Sequence, residues 1–159
     1  MPEIVVREAT AADASDIAAI HEAAVFAEGD AAHYSAAQIE AWAHSRSLDR
    51  LVAQIAARRF FIASDTTGPL GYGQLDLSAA TVRSTYVHPA ARRRGCGLRL
   101  LEAMVAAARE AGLKRLKLDA SLNAVPFYEA CGFSCAAPVV HRLATGVELP
   151  CRGMVLELS

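Results

Sequence analysis

Val87-His88-Pro89-Ala90-Ala91-Arg92-Arg93-Arg94-Gly95-Cys96-Gly97-Leu98-Arg99-Leu100 is where this chain changes its hydrophobic period. Upstream, Thr81–Val87 is strand-like and is halted by Pro89, which cannot donate to a sheet ladder. Downstream, apolar residues recur at Leu98, Leu101, Met104, Val105 and Ala108, one face of a helix that ends at Gly112. A strand that runs through a proline turn and two glycines straight into a helix gathers bare backbone N–H groups at the positive end of a helix dipole. Such a construction holds an anion, and a diphosphate in particular.

The rest of the sequence frames this unit. Residues 3–8 read as a first strand, and Thr10 with Asp13 has capping spacing ahead of a helical stripe of Ile17, Ile20 and Ala24. Residues 27–34 read as a loop. Ser35 and Gln38 repeat the capping-box spacing before Ile39 and Trp42, and Leu48, Leu51, Val52 and Ile55 mark another short helix. Residues 59–64 and 70–77 form a hairpin around Asp-Thr-Thr-Gly-Pro. Past the central helix, residues 115–119 alternate as a strand. Ser121 can cap a short helix that carries Tyr128 and stops at Gly132, and residues 139–143 and 154–158 read as two final strands. Antiparallel pairs flanking one β-α-β crossover predict a mixed, strongly twisted sheet with helices on both faces.

With 159 residues, 53% of them hydrophobic, residues 1–159 are expected to form a single domain with a substantial core. A formal net charge of −1 gives no sign of a nucleic-acid partner. The first residues lack the basic start and apolar stretch of a signal peptide. No run approaches the roughly 20 apolar residues of a membrane helix, so no membrane partner is expected. Cys96, Cys131, Cys135 and Cys151 include no C-x-x-C pair and have only His141 nearby, which argues against a metal site. They read as free thiols in a reducing cytoplasm.

Three readings of the glycine loop compete at this level. A Walker-type loop needs Lys-Ser or Lys-Thr after its second glycine, where Leu98-Arg99 stands. A dinucleotide fingerprint needs a third glycine at position 100, which is leucine. A surface turn with a solvated arginine run is the third.

The loop has a companion, however. Arg92-x-x-Gly95-x-Gly97 after Val-x-Pro, followed by Ser121-Leu122-Asn123-Ala124-Val125-Pro126-Phe127-Tyr128-Glu129-Ala130-Cys131-Gly132-Phe133, resembles the GNAT superfamily of acetyl-CoA-dependent N-acetyltransferases. The likeness covers residues 59–133 by motif and the remainder by element order. It implies an α/β (α+β mixed) fold: a strongly twisted, mostly antiparallel mixed sheet of six to seven strands with helices on both faces. One departure stands out. Where family members often carry a cofactor-contacting asparagine three residues before the alanine matching Ala124, this chain has Ser121, with Asn123 two residues on. Either takes that role, or Ser121 only caps the helix.

The resemblance also implies direct transfer of acetyl from acetyl-CoA (coenzyme A) to a primary amine of a small-molecule or peptide acceptor. The main chain of Arg93, Arg94, Gly95, Cys96, Gly97 and Leu98 would hold the diphosphate, the Arg92, Arg93 and Arg94 side chains adding charge. Tyr86 and Val87 would carry the pantetheine arm as an added strand, with the Val87 N–H stabilising the oxyanion. Tyr128 matches the family's general acid. The base is open among His33, Asp76 and Glu28. The acceptor side is expected from His33, Tyr34, Trp42 and Asp76, with Phe26 and Ile39 near them and His141 and Glu148 on the final strands; Ile39 and Trp42 read more readily as the buried face of a lid helix. Cys96, at a helix start beside arginines, is open to two readings: a thiol of lowered pKa that oxidises readily, or, the reading preferred, an inert small residue that fits the loop. Proteins that it resembles are commonly homodimers. The alternative is a non-catalytic acetyl-CoA-binding sensor or partner module, against which the retained Tyr128 argues.

Overall fold

The computed structural model describes residues 2–28 and 33–158, so the central part of the loop expected over 27–34 lies outside the described residues. The chain begins with β1 (Val5–Glu8), a 3₁₀ turn (Ala11–Asp13), and helices α1 (Ala14–Ala27), α2 (Ala36–Ala43) and α3 (Leu48–Ala57). Strands β2 (Arg59–Asp65), β3 (Gly68–Asp76) and β4 (Thr81–Val87) follow, then α4 (Cys96–Glu110), β5 (Arg115–Ser121), α5 (Val125–Ala130), β6 (Ser134–Arg142) and β7 (Glu148–Glu157). Local chemistry accounts for the helix starts. The Ser35 hydroxyl accepts from Gln38 N–H at 3.1 Å while Gln38 Oε1 accepts from Ser35 N–H at 2.8 Å, the reciprocal box read from the sequence. Ser47 caps α3 by accepting from Arg50 N–H at 3.2 Å.

One seven-stranded sheet runs in the order β1-β2-β3-β4-β5-β7-β6. Every neighbouring pair is antiparallel except β4 and β5, which are parallel and matched at one position only, Thr81 with Lys117. From there to their C-terminal ends the two strands part, which opens a wedge in the middle of the sheet. Helices cover both faces. On one, α4 buries Leu100 and Met104 completely against the sheet; on the other, Ile17 and Ile20 of α1 close over Phe60 and Tyr72. Among the described residues no helix is long and apolar enough to cross a membrane.

β6 starts at Ser134 and β7 at Glu148, well ahead of the expected positions 139 and 154. Nearly every residue of β6 is exposed, as befits the edge of a sheet, so there is no apolar alternation to read. Its pairing also slips between Cys135 and Pro138, where the proline interrupts the ladder.

The close seat of α4 depends on a missing side chain in β3. A Cβ at Gly71 would lie 2.8 Å from the Tyr86 carbonyl and 3.0 Å from Cys96 Sγ, so the helix head would have to lift off the strand. Gly71→Ala is therefore expected to cost about 1–3 kcal/mol of stability, read as a lower denaturant midpoint; an unchanged midpoint would mean that the helix moves freely there.

Candidate active site

The loop ahead of α4 is shaped by its backbone. His88 N–H donates to Leu70 O at 2.7 Å, and His88 Nδ1 accepts from Ala90 N–H at 3.1 Å, which makes the Val-His-Pro turn a structural element. Arg93 (φ 63°) and Gly95 (φ 78°) both take the left-handed conformation, at a cost of about 1–2 kcal/mol for the arginine. Such reversals of handedness turn successive N–H groups toward one concave side. The first bond inside α4 runs from Arg99 N–H to Gly95 O at 3.0 Å, and Gly95 supplies no side-chain cap. The N–H groups of Cys96, Gly97 and Leu98 are thus left without helical partners at the positive end of the dipole. At Gly97 an added Cβ would lie 3.3 Å from Phe127 Cζ, so this glycine seats α4 against α5 as well as freeing the main chain.

The side chains of the loop behave differently from its backbone. Arg94 is committed to the fold: Nη1 bonds Asp65 Oδ2 at 2.8 Å and Nη2 bonds Pro2 O at 3.0 Å. Hydrogen bonds from the Thr67 hydroxyl and amide, together with Arg94, hold the Asp65 carboxyl down to about 2. Arg92 and Arg93 are exposed, as is Leu98. The Cys96 thiol is buried beneath β3, and burial pushes its pKa up despite Arg94 and Arg99. Of the two readings of Cys96 this supports the inert small residue over the activated thiol, because the side chain turns into the core rather than toward the anion loop.

The wedge between β4 and β5 carries the second group of residues. Backbone N–H groups alternate between the two edges of a strand. Since His88 N–H bonds β3, Val87 N–H points to the opposite edge, into the wedge. Tyr128 of α5 stands there, buried, with its phenol pushed up to about 12 by desolvation. Thr85 Oγ1 and Asn123 Oδ1 are buried without a hydrogen-bond partner in the protein. Buried orphans of this kind beside free N–H groups suit a ligand with amides and hydroxyls along a narrow arm.

Glu28, at the end of α1, is the meeting point of several residues that the sequence singled out. Its Oε2 accepts from Asn123 Nδ2 at 2.7 Å, and the Ser121 hydroxyl, Arg92 and His33 all favour its charged form. Burial outweighs them and raises its pKa. Ser121 makes no capping bond to the 3₁₀ turn that follows it, so capping is not its role.

The wedge widens into a cleft of about 940 Å³ between α1–α3, the sheet and the β6–β7 hairpin. Tyr34 and Trp42 line it with ring centroids 5.5 Å apart, and Tyr86 stands 6.2 Å from Trp42. The Tyr34 hydroxyl accepts from Leu122 N–H at 3.0 Å and donates to Pro150 O at 2.6 Å, pinning the end of β5 to β7. Both aromatics are also core residues, buried with Ile39 and Leu149. His141 lines the cleft. Glu148 is paired with Arg142 at 2.8 Å instead, and Phe26 packs on His44 with centroids 5.5 Å apart.

Two acceptor-side expectations need correction. Asp76 lies outside the cleft with both oxygens engaged: Oδ1 accepts from Ser78 Oγ at 2.8 Å, and Oδ2 takes Arg83 Nη2 at 3.1 Å and Arg58 Nε at 3.5 Å. Those bonds hold its carboxyl below the usual range, which suits a turn clamp and not a base. His33 is exposed and absent from the cleft wall, touching the site only through its field on Glu28.

Sequence reading passed over His21 and Arg46. His21 is buried, with Nε2 2.9 Å from Trp42 O and its ring 4.9 Å from Tyr86, and desolvation drives its pKa down to about 4, so it stays neutral. Its position four residues after Ile17 on the α1 stripe is the signal that was available. Arg46 sits between α2 and α3, where no periodicity marks it.

The sequence model of the family described as an acetyltransferase (GNAT) domain matches residues 30–146. A GCN5-related N-acetyltransferase from Rhodopseudomonas palustris is similar at 27% identity over 99% of this chain and 98% of its own, with a TM-score of 0.91. The PaiA N-acetyltransferase of Thermoplasma acidophilum, solved with coenzyme A, aligns over 98% of this chain and 99% of its own at 17% identity and a TM-score of 0.78. The yncA protein of Salmonella typhimurium, solved with its cofactor acetyl-CoA, aligns over 98% and 94% at 24% identity and a TM-score of 0.69. No curated protein sequence matches the chain significantly.

Proposed function

We propose, from the premise that this chain belongs to the GNAT acetyltransferase family, that it moves acetyl from acetyl-CoA directly onto a primary amine of a small-molecule or peptide acceptor. In this reading residues 1–159 act as one catalytic domain in the cytoplasm. The observation that carries it is the wedge: β4 leaves β5 after a single matched position, with the Val87 N–H on one side and buried Tyr128 on the other.

Acetyl-CoA supplies an activated thioester. The free N–H groups of Cys96, Gly97 and Leu98 are suited to its diphosphate, with Arg92 and Arg93 able to add charge. Orphaned Thr85 and Asn123 oxygens are suited to the amides and hydroxyl of its arm, beside Tyr86 and Ser121. The Val87 N–H would donate to the carbonyl oxygen of a bound acetyl group, an interaction whose loss costs roughly 10²–10³ in rate. Glu28 takes a proton from the incoming ammonium, directly or through water; an alkylamine with a pKa near ~10.4 is otherwise almost fully protonated at neutral pH. Tyr128 would give its proton to the leaving sulfur and would be reprotonated by the second proton that the nitrogen sheds as the amide forms.

Calorimetric titration with acetyl-CoA, followed by a thiol-release assay over primary amines, tests the reading. Saturable binding and release with at least one amine are expected. Binding without release on any amine would replace it with a sensor module, and absence of binding by a folded sample would remove the cofactor.

A further inference from the structure

Resting on that reading and deepening it, we infer that the acceptor carries a carboxylate several bonds from its reacting amine, held by Arg46 and Gln74 in the wall of the cleft. The argument starts with charge. Of the other cleft arginines, Arg58 and Arg83 share Asp76 and Arg142 pairs with Glu148, while Arg50, which has no carboxylate partner among the described residues, is exposed to water. Half-buried Arg46 has none among the described residues. Its guanidinium lies 6.0 Å from the Tyr72 ring centroid and bonds only neutral oxygens, Ser84 Oγ at 2.7 Å and Gln54 Oε1 at 3.2 Å. A cation withdrawn from water without a counter-charge is costly, and a planar guanidinium fork matches a carboxylate better than any other small group.

Gln74 is a second, independent indication. It is 1% exposed, lines the same cleft, and its Nε2 has no partner. Ser84 links the two residues. Its oxygen accepts from Arg46, so its proton is free for Gln74 Oε1 at 3.3 Å, and this sets the amide with the N–H₂ as the unpaired end. The chain Arg46–Ser84–Gln74 thereby leaves donors, the guanidinium and the Gln74 N–H₂, as its unsatisfied groups. Glu28 stands in the same cleft with the opposite charge. A molecule with an amine at one end and a carboxylate at the other meets both.

The strand supplies a ruler. Ser84 precedes Val87 by three residues, about 10 Å of extended chain. A carboxylate bound near Ser84 therefore belongs to an ω-amino acid or to the side-chain amine of a diamino acid, not to a glycine-sized α-amino acid.

Trp42 is the only tryptophan of the chain and lines the cleft, so its fluorescence reports occupancy without any acetyl transfer. Aminohexanoate, hexanoate and hexylamine would be titrated into the protein, its Arg46→Met variant and its Arg46→Lys variant. Both carboxylates are expected to bind the wild-type protein at least roughly tenfold more tightly than hexylamine. Arg46→Met should erase that preference and Arg46→Lys should keep part of it. Equal affinities of hexanoate and hexylamine for the wild-type protein, or an unaltered preference in a folded Arg46→Met variant, would overturn the inference. The wild-type comparison stands even if the variants do not fold. Carboxylate binding without thiol release would instead count against the transferase reading alone.

Discussion

Replacing Tyr128 by phenylalanine is expected to lower turnover about a hundredfold while acetyl-CoA affinity changes by less than about threefold. The substitution removes one oxygen from a ring wedged between Phe127 and Phe133, with centroids at 5.1 and 5.7 Å, so the packing survives. What disappears is a proton donor. A phenol pushed up to about 12 is fully protonated at every pH at which the enzyme would be assayed. Against a thiol of reference pKa ~8.5 the transfer is uphill in water. In the proposed reaction, however, the sulfur would be freed in the same desolvated wedge, and burial raises the thiols of Cys96, Cys131 and Cys151 in this protein. On the proposed mechanism the two pKa values would approach each other as the thiolate forms, and a charge-assisted O–H···S bond from Tyr128 would stabilise it before the proton moves. Because Tyr128 stays protonated, it should impose no loss of rate between about pH 7 and 10. Steady-state kinetics with calorimetry on the variant checks this. Unchanged turnover would remove the acid role, and a parallel loss of affinity would reassign Tyr128 to cofactor binding.

The readable and the unreadable parts of this protein divide along sequence separation. Thr81–Val87 has the bounds expected of it because Pro89 ends the strand by local chemistry, and the reciprocal cap at Ser35 is equally local. The left-handed backbone at Gly95 follows from the residue type. Cys96 illustrates the limit. Its neighbours in sequence argue for a lowered thiol pKa, but the direction of its side chain, set by how α4 lies on Gly71, buries it and reverses the sign. Glu28 was visible only as one acid among several. The residue that holds it, Asn123, is 95 positions away, and no local pattern reports such a meeting. Asp76 was equally visible and proved to be bonded on both oxygens by arginines and a serine, a distinction that only the folded hairpin makes. Arg46 lay between two helices with nothing around it to mark a site.

Glu28→Gln should cut turnover by about a hundredfold and at the same time make the protein more stable at neutral pH. The amide preserves the shape and can still accept from Asn123, so the first effect isolates the loss of a base. The second follows from the direction of the Glu28 shift. Burial raises its pKa in the folded protein above the unfolded value, so the folded state binds the proton more tightly. Its contribution to stability is thus fully present below the unfolded carboxylate pKa and is lost as pH rises through the folded one. At neutral pH the ionised carboxylate is a burden that glutamine does not carry. The same displacement sets the pH profile. Wild-type turnover should climb through an apparent pKa above the ordinary carboxylate range as Glu28 deprotonates, and that limb should be missing in the variant. Thermal melts and pH-rate profiles measured side by side separate this from a rival role. If Glu28 merely attracts the ammonium of the acceptor, the variant will raise KM and keep kcat with its pH dependence intact. If it only holds Asn123 in place, both parameters will stay near wild type, since the glutamine retains that bond.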